Sequence, residues 1–194
     1  MSLTGVVLTR VIFTGVVAAV AVQRLLELRL SARHGAALRR RGALEAGASH
    51  YPWMVALHAG LLVSAPLEVW LLDRPFVPAL AVAMAALMIG ATALRYWTIR
   101  TLGERWTTRV IYLPGSSAVA RGPFRWVRHP NYLAVLVETF ALPLLHTAWL
   151  TATLFTLLNS VLLRRRIEVE ERALGDNTDY DEVFGRAREG GTRE

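Results

Sequence analysis

Apolar residues in this chain run in long, nearly uninterrupted blocks, not in the alternating or one-faced patterns of a water-soluble protein. A bilayer core of about 30 Å takes roughly 20 helical residues at about 1.5 Å each. Five blocks approach or meet that length: residues 6–30, 53–72, 76–99, 132–145 and 148–163. The first is too long for a removable signal peptide and lacks its small-residue cleavage pattern, so it reads as a mature helix. The last two are short and separated by Leu145, His146 and Thr147, with Pro143 near the junction, which predicts a tight helical hairpin. The fold class expected is therefore an all-α integral membrane protein with five transmembrane helices, organised as one domain over residues 1–194.

Composition supports this reading. Of 194 residues, 54% are hydrophobic and only 19% charged, against about 25% in an average globular chain. Mean hydropathy is +0.36. The apolar fraction excludes a disordered chain, the lack of heptads a coiled coil, and the absence of cysteine a disulfide-stapled fold. All 22 basic residues are arginine, the net charge is +7 and the pI is 10.9. A nucleic-acid partner is not expected, because such proteins show a solvated basic face, whereas these arginines bracket membrane-length stretches.

The arginines also set a topology. Residues 31–52 carry the triplet Arg39, Arg40 and Arg41; residues 100–131 carry Arg100, Arg105, Arg109, Arg121, Arg125 and Arg128; residues 164–194 open with Arg164, Arg165 and Arg166. The opposite side has only Arg10 and Arg74. The positive-inside rule puts these three segments in the cytoplasm and the N-terminus outside, in agreement with an odd number of crossings. A bacterial cell membrane is the expected location. The cytoplasmic link holds Pro114-Gly115 and Gly122-Pro123 as turn signals around a β-prone run, Arg109 to Leu113. The helix of the fifth block is expected to continue through Ala173, since charges replace leucines there without a breaker. The tail from Gly175 to Glu194 is polar and, by composition, partly disordered.

Ionisable residues inside the apolar blocks need partners. Glu138 lies several residues into a span, where a carboxylate is costly and usually faces a cavity or a partner. Glu27 is placed to pair with Arg24 at three-residue spacing, or with another helix. Arg24 and Arg95 are near enough to the cytoplasmic ends to snorkel, and Glu68 is read as snorkelling at the outer end. The arginine triplets serve topology and contact with anionic membrane lipids.

Two segments are dense in polar chemistry: Arg121-Gly122-Pro123-Phe124-Arg125-Trp126-Val127-Arg128-His129-Pro130-Asn131-Tyr132, and Arg164-Arg165-Arg166-Ile167-Glu168-Val169-Glu170-Glu171-Arg172-Ala173-Leu174. The His-Pro-x-Tyr element, an apolar hairpin, and Arg-x-x-x-Glu-Glu some 35 residues later resemble the isoprenylcysteine carboxyl methyltransferase family of integral membrane methyltransferases, over about residues 95 to 180. The first half resembles a bacterial branch that O-methylates alkylpyrones or alkylresorcinols, through Arg24-Leu25-Leu26-Glu27, Glu45-Ala46-Gly47, His50-Tyr51 and Met54 to His58.

The resemblance implies S-adenosylmethionine as cofactor, and no Gly-x-Gly turn of a soluble nucleotide fold is present to hold it. By motif position it implies that Arg128, His129, Pro130, Asn131, Tyr132, Glu170 and Glu171 form the cofactor pocket, with Tyr180 keeping the family position in a shortened, divergent tail. Arginine suits the methionyl carboxylate, and glutamates suit the ammonium and ribose hydroxyls. Arg166, four residues before Glu170 on the same helical face, is expected beside the acceptor. A weakly acidic hydroxyl needs a general base, for which His50, His58 or Glu138 is available; an acidic enol needs none. No metal is expected. The partner implied is a lipid-like small-molecule acceptor, an alkylpyrone or alkylresorcinol first and an isoprenylcysteine-like carboxylate second. An NADPH-dependent membrane reductase of related plan is the rival enzyme class. Oligomeric state is left open.

Overall fold

The computed structural model describes residues 3–189. Six helices follow in chain order: α1 Leu3–Arg40, α2 Tyr51–Leu71, α3 Pro78–Leu102, α4 Pro130–Leu144, α5 Trp149–Asn177 and α6 Tyr180–Glu189. Proline sits in the first turn of α2, α3 and α4, where its fixed φ suits the helix and its missing N–H is not needed. α1 ends in a Schellman turn: Gly42 takes φ +86, its N–H reaches the Arg39 carbonyl at 3.1 Å, and the Ala43 N–H reaches that of Leu38 at 3.1 Å.

Three helical stretches are long and apolar enough to cross a membrane: Leu3–Arg40, Ala48–Leu71 and Pro78–Arg105. They leave Ile12, Leu25, Val63, Val82 and Ile89 exposed, as helices do when they face lipid. α4 differs. It has 15 residues, about 22 Å at the helical rise, and ten of them are buried. It packs between α3 and α5 and supplies Leu142, Ala141 and Leu144 to the apolar clusters that also hold Phe13, Val69, Met84 and Ala152.

Turns group at two ends. At one end the α2–α3 and α4–α5 turns and the start of α1 meet: Thr147 Oγ1 donates to the Pro75 carbonyl at 2.5 Å, Arg10 pairs with Asp73 at 2.9 Å, and His146 lies 3.2 Å from Thr9 Oγ1. The other, arginine-rich end carries the α1–α2 and α3–α4 links and the end of α5.

Four expectations change. The chain is not purely helical, because β1 Leu44–Ala46 pairs antiparallel with β2 Val110–Tyr112, in register Glu45 opposite Ile111. The β-prone run marked β2, but its partner had no pattern of its own. α1 runs ten residues beyond its expected end, since nothing breaks it before Gly42. The tail is ordered as well: α5 continues through Gly175 to Asn177, and α6 docks on the α3–α4 link. The Gly115 N–H bonds the Asn177 carbonyl at 2.9 Å, and the Ala118 N–H bonds Asp179 Oδ1 at 2.5 Å. The expected disorder of residues 190–194 lies outside the described residues.

Glu68 is the fourth. It does not snorkel. Its carboxylate is buried and accepts from the Leu150 and Thr151 N–H groups at 3.1 and 2.7 Å and from Arg74 at 2.9 Å. α5 has no side-chain cap of its own, so a carboxylate from α2 satisfies its free amides and meets the positive end of its dipole.

Candidate active site

Tyr132 stands two residues into α4, at the arginine-rich end, facing α5. Its hydroxyl receives the Arg166 Nε–H at 2.7 Å and donates to the Glu170 carboxylate. Arg166 and Glu170 are one turn apart on α5, so both reach a single phenol from the same face. Arg166 is 8% exposed. Its remaining nitrogens reach the Thr108 carbonyl at 2.6 Å and Met54 Sδ at 3.2 Å. Next to this chain, the His129 ring stacks on Tyr132 with centroids 5.4 Å apart, and its Nε2 lies 3.1 Å from Glu171 Oε1.

The α3–α4 link is pinned over these residues. Ser31 Oγ accepts from the Thr108 N–H at 2.8 Å, and the Tyr51 hydroxyl lies 3.1 Å from Thr108 Oγ1. Glu45 of β1 holds Arg109 at 2.6 Å, and that guanidinium covers the Tyr51 ring at 4.1 Å. The link then turns at Gly122, whose φ is +60. A Cβ there would lie 2.5 Å from Thr101 Oγ1, so both the backbone conformation and the α3 neighbour require glycine.

Three of the cavities in the described residues adjoin this group. One of about 90 Å³ is lined by Arg128, His129, Pro130, Asn131, Tyr132, Arg166 and Glu170, with Arg105, Trp106, Tyr112 and Phe124 from the link. A second, of about 150 Å³, shares Arg105, Phe124, Arg128, His129 and Glu170 with the first and reaches Tyr180 and Phe184 of α6. The third, about 310 Å³, lies among α1, α2 and α4 and is walled by Leu25, Leu28, Val55, Leu62 and Val135. It meets the first at Trp106, Asn131, Tyr132 and Arg166, which line both.

The first two cavities suit S-adenosylmethionine in chemistry. Arg128 spends one nitrogen on the Phe184 carbonyl at 2.7 Å, and its guanidinium has further donors for a carboxylate. Glu170 can take an ammonium or ribose hydroxyls. Phe124, Tyr180 and Phe184 offer flat apolar surface for an adenine. The Tyr180 hydroxyl and Trp106 Nε1 are buried without a hydrogen-bond partner among the described residues, a state that buried polar groups rarely keep. Burial pushes the Tyr180 hydroxyl up to about 12, with the Glu171 carboxylate adding in the same direction.

The sequence motifs thus converge. Arg128, His129, Pro130, Asn131, Tyr132, Arg166 and Glu170 line one cavity, and Tyr180 the adjoining one. Glu171 stands behind His129 and lines none of the three cavities. Two residues expected to be catalytic are placed elsewhere. His50 ends the short turn before α2 and lines none of these three cavities. Glu138 is a member of a buried ionic quartet. Arg24 donates to Glu27 at 2.5 Å and to Glu138 at 2.9 Å, while Arg95 binds Glu138 through two nitrogens and stands 3.6 Å from Glu27. Arg24 and Arg95 therefore do not reach for the interface; the carboxylates hold them inside. A carboxylate bound by two guanidiniums has few lone pairs left for a substrate proton, so the geometry gives Glu138 a structural place in the wall.

Arg105, Trp106, Phe124 and Phe184 were not foreseen as lining residues. They come from the link and the tail, where no periodicity exists. The turn glycines, which fold the link back over α3, were the available signal.

Membrane-length helices with lipid-facing apolar surfaces, and a polar pocket at one end opening to an apolar cavity, define a multi-pass integral membrane protein. Residues 83–176 match the model of the isoprenylcysteine carboxyl methyltransferase (ICMT) family. A Bacillus subtilis protein described as "Uncharacterized protein YpbQ" is 35% identical over 158 residues, covering 81% of this chain and 94% of the relative. A Haemophilus influenzae protein described as "Uncharacterized protein" is 30% identical over 152 residues, covering 78% of this chain and 88% of that relative. The chain belongs to the ICMT family and is a membrane methyltransferase.

Proposed function

We propose that this protein transfers a methyl group from S-adenosylmethionine to an oxygen of a lipophilic small molecule at the membrane interface, the acceptor being an alkylresorcinol or alkylpyrone. The shared wall carries the proposal: a polar cavity and an apolar one meet at Tyr132 and Arg166. A donor held on the polar side and an acceptor on the apolar side come face to face there.

The cofactor supplies an electrophilic methyl on a cationic sulfur. The acceptor oxygen would take that methyl, the new C–O bond replacing the S–C bond, with S-adenosylhomocysteine as the product. This chain's residues position and exclude water. Arg128, His129 and Glu170 bind the polar parts of the donor, and Arg166 steadies negative charge on the acceptor oxygen. Where that oxygen is an acidic enol, it arrives ionised; where it is a phenol, its proton would pass to the Tyr132 hydroxyl as that hydroxyl gives its own to the Glu170 carboxylate. A dry pocket keeps the opposite charges of the two reactants from being screened by solvent before they meet.

The apolar walls suit an alkyl tail, which favours the bilayer by about 0.8 kcal/mol per methylene. Five crossings follow in this reading. The α4–α5 turn bonds the α2–α3 turn through Thr147 and Pro75, so the short hairpin reaches the same depth as its neighbours. The N-terminus is then outside, and the polar cavities face the cytoplasm, where the cofactor is made. The whole chain serves as one domain.

Purified protein with isotopically labelled methyl donor and a panel of alkylresorcinols, alkylpyrones and isoprenylcysteine analogues, read by mass, tests the proposal. A labelled methyl ether on either of the first two is expected, and calorimetry should show S-adenosylhomocysteine bound and NADPH ignored. Label on the isoprenylcysteine carboxylate alone would overturn the substrate class.

A further inference from the structure

Building on the acceptor cavity assigned above, we propose that His58 selects acceptors that carry a second hydroxyl, about one helical turn deeper in the membrane than the oxygen that is methylated. α2 presents Tyr51, Met54, His58 and Leu62 to the large cavity, a stripe at helical spacing. Met54 marks the depth of Arg166, since its sulfur lies 3.2 Å from Nη1. His58 is four residues further on the same face, about 6 Å deeper at the helical rise.

The tautomer of His58 follows from its partner. Nδ1 lies 2.8 Å from the backbone carbonyl of Met54. A carbonyl oxygen only accepts, so Nδ1 carries the proton and, in the neutral ring, Nε2 holds a lone pair. Nε2 has no hydrogen-bond partner among the described residues, and the ring lines the cavity. The charged groups nearby are engaged with each other: Arg24 and Arg95 donate to Glu27 and Glu138. The polar feature that α2 leaves open at this depth is a hydrogen-bond acceptor, and it asks for a donor.

A six-membered ring lying along α2 with one oxygen at Arg166 places a meta oxygen near His58. A hydroxyl there donates to Nε2. A ring carbonyl or an ether oxygen brings lone pairs against a lone pair. The site therefore favours a dihydroxy aromatic ring over a lactone. It also disfavours the mono-ether product as a second substrate, which limits transfer to one methyl.

The test uses the full-length protein in phosphatidylglycerol/phosphatidylcholine vesicles and three acceptors with one tail: a 5-alkylresorcinol, its monomethyl ether and a 3-alkylphenol. The wild type should favour the resorcinol over both others by at least about 10-fold in kcat/KM, as sites built around a hydroxyl discriminate. His58→Phe should bring the three values together, and His58→Gln, whose amide oxygen accepts, should restore part of the preference. S-adenosylhomocysteine affinity should not change in either variant. Equal wild-type values for the three acceptors, or a preference that persists in His58→Phe, would overturn the assignment and leave the methyltransferase reading intact. Transfer to an alkylpyrone of the same tail but to none of the three would overturn the assignment alone, and no transfer to any of the four would overturn both.

Discussion

The Nε of Arg166 lies 2.7 Å from the hydroxyl of Tyr132, and that hydroxyl donates in turn to Glu170. A residue that lines both the polar and the apolar cavity is thereby tied through a single phenol to one that lines the polar cavity. Tyr132→Phe keeps the ring and its stacking on His129 but cuts the tie. Hydrogen bonds to charged groups contribute about 1.5–3 kcal/mol, so kcat/KM should fall about 10- to 100-fold while cofactor affinity changes by no more than a few fold. Arg166→Ala should abolish transfer with a similarly small change in cofactor affinity. Methyl-transfer rates and calorimetry on the same preparations separate the two effects, and equal loss of binding and turnover in Arg166→Ala would refute this division of roles.

Glu138 gives a sharper contrast between chemistry and architecture. Removing it leaves the buried Arg95 and the half-buried Arg24 with Glu27 as their remaining carboxylate, and breaking a buried pair costs about 3–5 kcal/mol. Glu138→Ala should therefore lower the thermal unfolding midpoint of the detergent-solubilised protein markedly. A catalytic base would behave differently: turnover would vanish with the midpoint unchanged.

Glu68→Ala removes the carboxylate that caps α5 and leaves Arg74 without its partner. Loss of a helix cap costs about 1 kcal/mol, up to about 2. Chemical denaturation should show a loss of this size, and Glu68→Gln, with one acceptor oxygen left, an intermediate one.

Tyr180 makes the docking of α6 sensitive to alkali. Its hydroxyl is raised from the ordinary 10.0 to about 12, so the folded state holds the proton more tightly than the unfolded chain. The stabilisation is complete below pH 10 and is lost as pH rises through about 12. Proteolytic cleavage after residue 177 should accelerate across that window, and Tyr180→Phe should remove the dependence. A flat profile in the wild type would show that the hydroxyl is solvated.

Hydropathy blocks of membrane length and arginines at their ends were enough to read α1 to α5 but not α6, because lipid imposes length and apolarity on any residue that must cross it and the polar tail has no such constraint. The His129-Pro130 and Glu170-Glu171 segments were legible for the same reason: charge beside an apolar block stands out. Helical spacing also placed Arg166 and Glu170 on one face. The sequence did not disclose that Tyr132 joins those two, that Glu68 caps another helix, that Glu138 is bound between two arginines, or that residues 44–46 pair with 110–112. Each of these depends on a partner far along the chain, and no local period encodes the distance between segments. The cavity at His58 is of the same kind. Its α2 stripe is local, but only the packing of α1 and α4 around it leaves the space, and only that packing turns an ordinary apolar helix face into the wall of a cavity.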